Sequence, residues 1–446
     1  MHARPSGAGE PTVEHDSVPD WRGQQLEVVV GPIAHGGHCV ARHHGRVVFV
    51  RHALPGERVI ATVTEDHGGS FCRADATAVL SPSPERVTAP CRYSGPGGCG
   101  GCDFQHVATP EQRRLKAAVV SEQLRRLAGL DWPVVVRELA PAGLGWRRRV
   151  RYVADGDGNL GLRKYRSHDV VAVRHCAIAA PGVADAAGFG SDWPRGVEVE
   201  VAVDDNAAVA VLRHPDRSGQ PSRRQGGRSS RRRDRGRQQR AGAAEQPDQV
   251  GGPPRLSYQA SGRRFHVRPS GFWQTHPQAA DEYVSAVLAG AALAQGERAL
   301  DLYAGAGLFT AALAGAVGRT GQVMGLEGDA RAAADAAGNL ADLAWAEVRC
   351  QPVTAATVAE LCDQLSDVAA IVADPPRTGV GKDVMAAMLA AEPRAIVYVA
   401  CDPAALARDL RVALDSGWTL SDLTAFDAFP MTHHVECVAV LAPPQG

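Results

Sequence analysis

The chain reads as a Rossmann-like α/β domain preceded by a small β-barrel and a central β-rich region with a cysteine cluster. Three observations lead there. From about Gly271 to Pro443, alanine-rich helical stretches alternate with short apolar runs, the pattern of a parallel sheet with crossover helices. Within that region, Ala299-Leu-Asp301-Leu-Tyr303-Ala-Gly305-Ala-Gly307 is a strand running into a glycine turn and then a helix. Such a turn lets backbone approach a ligand closely at the first strand–helix junction. Near the N-terminus, the β runs Leu26–Val30, Gly45–Val50, Arg58–Val63 and Ala76–Leu80 are separated by Gly36-Gly37, Pro55-Gly56 and Gly68-Gly69. Short strands with glycine turns at close spacing suggest a barrel.

The 446 residues, 45% apolar and 22% charged, suit a soluble globular chain of about three domains. Residues 1–20 are polar and are expected to be a disordered tail, with the barrel over 21–85. A central region, 86–270, is expected to bind RNA and to carry the cysteine cluster. It holds a cysteine-rich loop at 91–102 and a helix from Pro110 to about Leu130 that should pack on the C-terminal domain. Basic β runs follow, at Trp146–Tyr152 and Asp169–Arg174. Residues 216–248 differ in kind: ten arginines stand against four acids with almost no apolar residue, so this insert is expected to stay disordered. The α/β domain is assigned to 271–446. Arginine outnumbers lysine 45 to 3 under a net charge of −1, which suits phosphate contact. No apolar run reaches membrane-span length, and Met1–Gly7 has no apolar core behind it. The expectation is a cytoplasmic monomer that has no contact with membranes.

The chemistry concentrates at strand ends. Tyr398-Val-Ala-Cys401 places a thiol at the end of an apolar run, where a rigid scaffold can present a nucleophile over a cleft. Glu436, in His-Val-Glu, is a carboxylate able to remove a proton after the thiolate has added to an electron-poor ring carbon. A second strand, Gln322–Glu327, ends in an acid 26 residues after Asp301, placed to accept ribose hydroxyls. Thr310 stands where a dinucleotide fingerprint has its third glycine, so Asp-x-Tyr-x-Gly-x-Gly looks more like an S-adenosylmethionine loop. Asp374-Pro-Pro-Arg377 is a stiff turn at another strand end. Amino-methyltransferases carry an aromatic where this chain has Arg377, which argues against methylation of an amino group. Cys91, Cys99, Cys102 and the distant Cys176 form a four-thiol set that could hold structural zinc or an iron–sulfur cluster. One close pair plus two singles departs from the paired spacing usual for zinc. Cys39, Cys72, Cys350, Cys362 and Cys437 read as ordinary core or surface residues.

With these residues assembled, the chain from about 22 to 441, apart from the arginine insert, resembles the RNA uracil-C5 (5-methyluridine) methyltransferases. The motifs are Phe272-x-Gln274, Asp301-Leu-Tyr-x-Gly-x-Gly307, Asp374-Pro-Pro-Arg377, Cys401-x-Pro403 and Phe429-Pro-x-Thr-x-His434-x-Glu436, in the family's order. Val48–Glu57 resembles the TRAM domain, an OB-like RNA-binding barrel. The resemblance implies an α/β Rossmann-like S-adenosylmethionine methyltransferase domain behind a TRAM barrel and a cysteine-cluster domain. It implies Cys401 as nucleophile and Glu436 as base. It also implies that Gln274, Tyr303, Gly305, Gly307, Glu327 and Asp374 serve the cofactor, and that Cys91, Cys99, Cys102 and Cys176 hold a [4Fe-4S] cluster. The implied substrate is a uridine in RNA, with ribosomal RNA favoured over transfer RNA. His276 replaces the family's asparagine and Asp402 its usual asparagine after the nucleophile, so the resemblance assigns neither a role. Two alternatives stay open: an RNA cytosine-C5 methyltransferase, whose Thr-Cys and Pro-Cys pairs this chain does not show at 401, and a non-catalytic RNA-binding protein on the same fold.

Overall fold

The computed structural model describes residues 20–183, 185–186, 193–215 and 246–444. The expected disordered tail (apart from Asp20) and the arginine insert up to residue 245 lie outside them. Asp248, the insert's expected last residue, already opens a strand. Two compact units emerge, residues 35–37 clustering with the second.

The first unit is one six-stranded sheet built from β1 (Gln25–Val29), β2 (Ile33–Ala34), β3 (His38–His43), β4 (Arg46–Arg51), β5 (Arg58–Asp66) and β6 (Phe71–Ser81). Its order is β1-β5-β6-β4-β3-β2, with only β4 and β6 parallel. Alternation along β5 turns Val59, Ala61 and Val63 inward. At its end, buried Asp66 accepts two hydrogen bonds from Arg46, at 2.6 and 3.0 Å, and one from the Trp21 N–H. The pair is neutralised by its own geometry, as a buried charge requires.

The second unit begins with α1 (Thr109–Gln123), prolonged by a π turn at Leu124–Ala128 that ends on left-handed Gly129. β7 (Val136–Glu138) follows. β8 (Arg149–Ala154), β9 (Leu160–Arg163), β10 (Val170–Val171), β11 (Glu198–Val203), β12 (Val209–Arg213) and β13 (Asp248–Gly251) form an antiparallel sheet, and β14 (Leu256–Ala260) and β15 (Arg263–Val267) form a hairpin. Then come α2 (Ala279–Ala291), β16 (Arg298–Leu302), α3 (Leu308–Val317), β17 (Gln322–Glu327), α4 (Ala330–Asn339) and β18 (Ala346–Cys350). The chain closes with α5 (Ala355–Leu365), β19 (Val368–Ala373), α6 (Lys382–Ala390), β20 (Ala395–Ala400), α7 (Pro403–Asp415), β21 (Thr419–Asp427) and β22 (Glu436–Ala442).

The large sheet runs β18-β17-β16-β19-β20-β22-β21-β7. Its central strands are apolar on both faces because both faces are covered. Ile396, Tyr398 and Ala400 of β20 enter the core under α5, α6 and α7, while Val397 and Val399 enter the core under α2 and α3. β22 runs antiparallel between β20 and β21, with Cys437 opposite Ala400. No helix of the described residues is long and apolar enough to cross a membrane.

The boundary expected at residue 270 does not separate compact units. β7, from the region assigned to a central domain, pairs in parallel with β21 as the outer strand of the large sheet. Val120, Leu124, Ala128 and Val136 join the core beneath α7, because an uncovered β21 edge would leave that core open. The hairpin side is equally continuous, since Leu256, Phe265, Val267 and Trp273 share a core with Ala311 and Leu340.

Lys116 of α1 is fully buried. Its Nζ donates to Asp427 Oδ1 at 2.5 Å and to the Phe429 carbonyl at 3.0 Å, where β21 leaves the sheet. Burial pushes its pKa down and Asp427 opposes that shift. Lys116→Met strands a buried carboxylate and should cost about 3–5 kcal/mol in chemical unfolding. Adding Asp427→Leu should recover most of the loss. If the double variant is as unstable as the single one, packing and not charge holds this junction.

Candidate active site

All the strand-end residues open on one cavity of about 670 Å³, a size that suits a small-molecule site. β16, β17, β19 and β20 are parallel, so Tyr303, Glu327, Asp374 and Cys401 emerge at one edge of the sheet. β22 points the other way, so its first residue lies beside the last residue of β20. Glu436 therefore reaches the same cavity as Cys401.

The glycine turn is built for approach. Tyr303 (φ 67°) and Gly305 (φ 56°) are left-handed, and a Cβ on Gly305 would meet nothing within 4 Å. The Gly305 N–H donates to Glu327 Oε2 at 2.8 Å, while Oε1 accepts from the Asp329 N–H at 2.7 Å. Glu327 is thus held against the turn it faces. Gly307 has a different role: it starts α3, and a Cβ there would sit 3.3 Å from Ala336 Cβ. It does not line the cavity, so the structure gives it a packing role.

Gln274 lines the cavity from the loop before α2. Arg149 fixes that loop through the carbonyls of Pro269 (2.7 Å) and Gly271 (2.9 Å), itself paired with Glu200. Phe272, 68% exposed, stands over the cavity as an unusually bare aromatic, a surface on which a planar base can stack. His276 is elsewhere. It is buried, stacked on Trp146 at 6.0 Å, and its Nδ1 accepts from the Gln278 N–H at 3.2 Å. Asp402 caps α7 through the Ala405 N–H at 2.8 Å. Farther along, Asp409 of α7 accepts from the Val380 N–H (2.8 Å) and the Tyr398 hydroxyl (2.6 Å), pinning the loop that follows Asp374-Pro-Pro-Arg377.

Burial dominates the electrostatics. It pushes the Cys401 thiol up to about 12, with Glu436 adding to the rise and Arg377 opposing it. Glu436 is raised well above the carboxylate range by burial and then by Asp374, again opposed by Arg377. Asp374 is pushed up to about 7 by burial and by Asp301, and Asp301 to about 7 by burial despite a 2.5 Å hydrogen bond from Thr310. His434, lowered to about 3 by burial, His433 and Arg377, is neutral; its Nε2 lies 3.5 Å from Arg377. The cavity thus pairs a protonated thiol with carboxylates of high proton affinity, which suits covalent chemistry coupled to proton transfer. Arg377, Phe429 and His434 complete the lining. Phe429 and His434 stood in the sequence motifs but had no role there. Arg377 stood next to Asp374-Pro-Pro.

Cys91, Cys99, Cys102 and Cys176 all line one separate pocket, as free thiols. Burial raises the thiols of Cys99, Cys102 (to about 12) and Cys176, and Arg147 is the pocket's cation. Among the described residues, no group of three or more His, Cys, Asp or Glu is gathered as a metal centre.

A parallel sheet with a glycine turn, an acid on the second strand and a thiol over the cleft defines an S-adenosylmethionine-dependent methyltransferase. The comparisons narrow the class. Residues 257–443 match the tRNA (Uracil-5-)-methyltransferase profile and residues 20–76 the TRAM domain. An uncharacterized RNA methyltransferase of Streptomyces avermitilis is 46% identical over 94% of this chain and 99% of its own length. The 23S rRNA (uracil(1939)-C(5))-methyltransferase of Halomonas elongata is 33% identical over 94% of this chain and 90% of its own. The fold is shared with Pyrococcus abyssi tRNA (uracil-54, C5)-methyltransferase, solved with S-adenosyl-L-homocysteine, at a TM-score of 0.66 and 21% identity over 93% and 99% of the two chains. The chain belongs to the RNA uracil-C5 methyltransferase family. That membership removes the cytosine and non-catalytic alternatives.

Arg377 is the cation that opposes the rise of the Cys401 thiol, so Arg377→Met should slow iodoacetamide alkylation of Cys401 at pH 8. Roughly tenfold would correspond to one pH unit of thiol pKa. Peptide mapping across a pH series checks this, and an unchanged profile would remove Arg377 from the activation of the nucleophile.

Proposed function

We propose that this enzyme methylates C5 of a uridine in ribosomal RNA through a covalent bond between Cys401 and C6 of the base. The observation that carries the reading is the shared cavity: the antiparallel β22 brings Glu436 to the thiol's end of the sheet, beside Gln274, Tyr303, Glu327 and Asp374. C5 of uracil is too weak a nucleophile to take a methyl group unaided. The Cys401 thiol gives its proton to water, its sulfur bonds to C6, and the displaced π electrons make C5 a nucleophile; C5 takes the methyl group from the sulfonium and S-adenosylhomocysteine leaves. Glu436 then removes the C5 proton and the Cys401–C6 bond breaks, restoring the thiolate and the aromatic ring. The target base must leave its stack to enter the cavity, where Phe272 offers a face to receive it. The ribosomal preference is supported by the relatives at 33% and 31% identity named as 23S rRNA enzymes.

Two variants separate the steps. Cys401→Ala should give neither adduct nor product. Glu436→Gln should still add and methylate but stall at elimination. It should therefore leave an RNA–protein species that survives denaturing electrophoresis and requires both Cys401 and S-adenosylmethionine. Wild-type turnover by Glu436→Gln would refute the mechanism. Loss of 5-methyluridine from ribosomal RNA in cells without the gene tests the substrate, and loss from transfer RNA alone would overturn the ribosomal assignment.

An iron–sulfur cluster is part of the same proposal, and what supports it is the donor set: four cysteines line one pocket, and sulfur is the ligand such a centre takes. Cys91, Cys99, Cys102 and Cys176 would hold a [4Fe-4S] cluster. Anaerobically purified protein should be brown with about four irons per chain. Colourless active protein containing stoichiometric zinc would exclude the cluster.

A further inference from the structure

The segment from Ala428 to Val435 connects β21 to Glu436, and polar groups outside the cavity hold it. Met431, in the left-handed region at φ 66°, accepts at its carbonyl from the N–H groups of Asp103 (3.0 Å) and Phe104 (2.9 Å). Its own N–H donates to Gln112 Oε1 at 2.8 Å. Two residues on, the His433 N–H donates to Asp103 Oδ2 at 3.2 Å and the His433 ring meets the same oxygen through Nδ1 at 2.6 Å. A carboxylate only accepts, so Nδ1 carries the proton. The His433 ring lies 4.1 Å from that of His434, which lines the cavity, and Glu436 follows three residues later. Asp103 itself is 8% exposed and does not line the cavity.

We propose that Asp103 is a positioning residue for the reaction: by gripping both the backbone and the ring of His433, it fixes the start of β22 and with it the His434 ring and the Glu436 carboxylate. Met431 explains why the grip matters. A non-glycine residue in the left-handed region is held by its surroundings and not by its own preference, so the segment relaxes when its anchors go. The proposal rests on the reading of Glu436 as the base. Asp103 also follows Cys102 directly, so the residue that orients the carboxylate is continuous with the wall of the thiol pocket. Displacements of about 1 Å at a reacting group can cost on the order of 100-fold in rate.

The test uses the full chain with Asp103→Ala and Asp103→Asn. Three quantities are read: methyl transfer into bulk ribosomal RNA from cells lacking the gene, affinity for S-adenosylhomocysteine, and hydrogen exchange of the amides from 433 to 436. Asp103→Ala should lower kcat by roughly 10- to 100-fold, keep the S-adenosylhomocysteine Kd within about twofold, and speed exchange at 433–436 while β20 stays protected. Asp103→Asn keeps an oxygen for the His433 N–H and should restore much of the protection and an intermediate kcat. It also serves if the alanine variant fails to fold. Wild-type kcat with unchanged exchange would overturn the proposal. So would a loss of S-adenosylhomocysteine binding in step with kcat, which would mark a general loss of structure. Exchange is read without RNA, so a wild-type chain that methylates nothing would defeat the functional reading while leaving the positioning measurable.

Discussion

The direction of one strand governs this site. Had β22 run parallel to its neighbours, Glu436 would lie at the far edge of the sheet, a strand length from Cys401. Running antiparallel between β20 and β21, it sets Cys437 opposite Ala400 and delivers the carboxylate to the thiol. The hairpin from β21 to β22 is therefore more than a topological detail. Its connecting segment, Ala428 to Val435, contributes Phe429 and His434 to the cavity wall and meets Lys116, Gln112 and Asp103 on its outer side.

Burial then sets the chemistry. Burial pushes the Cys401 thiol up to about 12 and also raises the proton affinity of Asp374 and Glu436 beside it. Arg377 is the fixed cation in this set, near His434 and opposing the rise of both Cys401 and Glu436. It occupies the position after Asp374-Pro-Pro where amino-methyltransferases carry an aromatic, so the same backbone turn serves a different electrostatic task.

Much of the site was legible because its residues sit at strand ends next to local signals. Cys401 ends an apolar run, Asp374 precedes two prolines, and Glu327 closes the second strand of a glycine-turn unit. Gly307 looked like a ligand residue because the motif does not distinguish a glycine that clears space for a cofactor from one that clears space for Ala336. His276 sat inside a site motif, yet it turns inward onto Trp146, and a contact across 130 residues of sequence leaves no local trace. The same limit hid β7. Three residues, Val-Arg-Glu, carry no periodicity, and their strand exists only because β21 needs a partner. The bonds from Asp103 and Gln112 to Met431 and His433 span more than 300 residues, beyond any reading of spacing.

The pairing of β7 with β21 makes the methyltransferase fold a poor candidate for transplantation. A segment cut at residue 271 would carry every strand-end residue of the cleft, but it would expose the β21 edge and the apolar surface that Val120, Leu124, Ala128 and Val136 cover. During synthesis the order is reversed. α1 and β7 are made early and wait for β21, some 280 residues later, before their apolar faces have a partner. α1 and β7 therefore remain unfinished until nearly the last strand has been made.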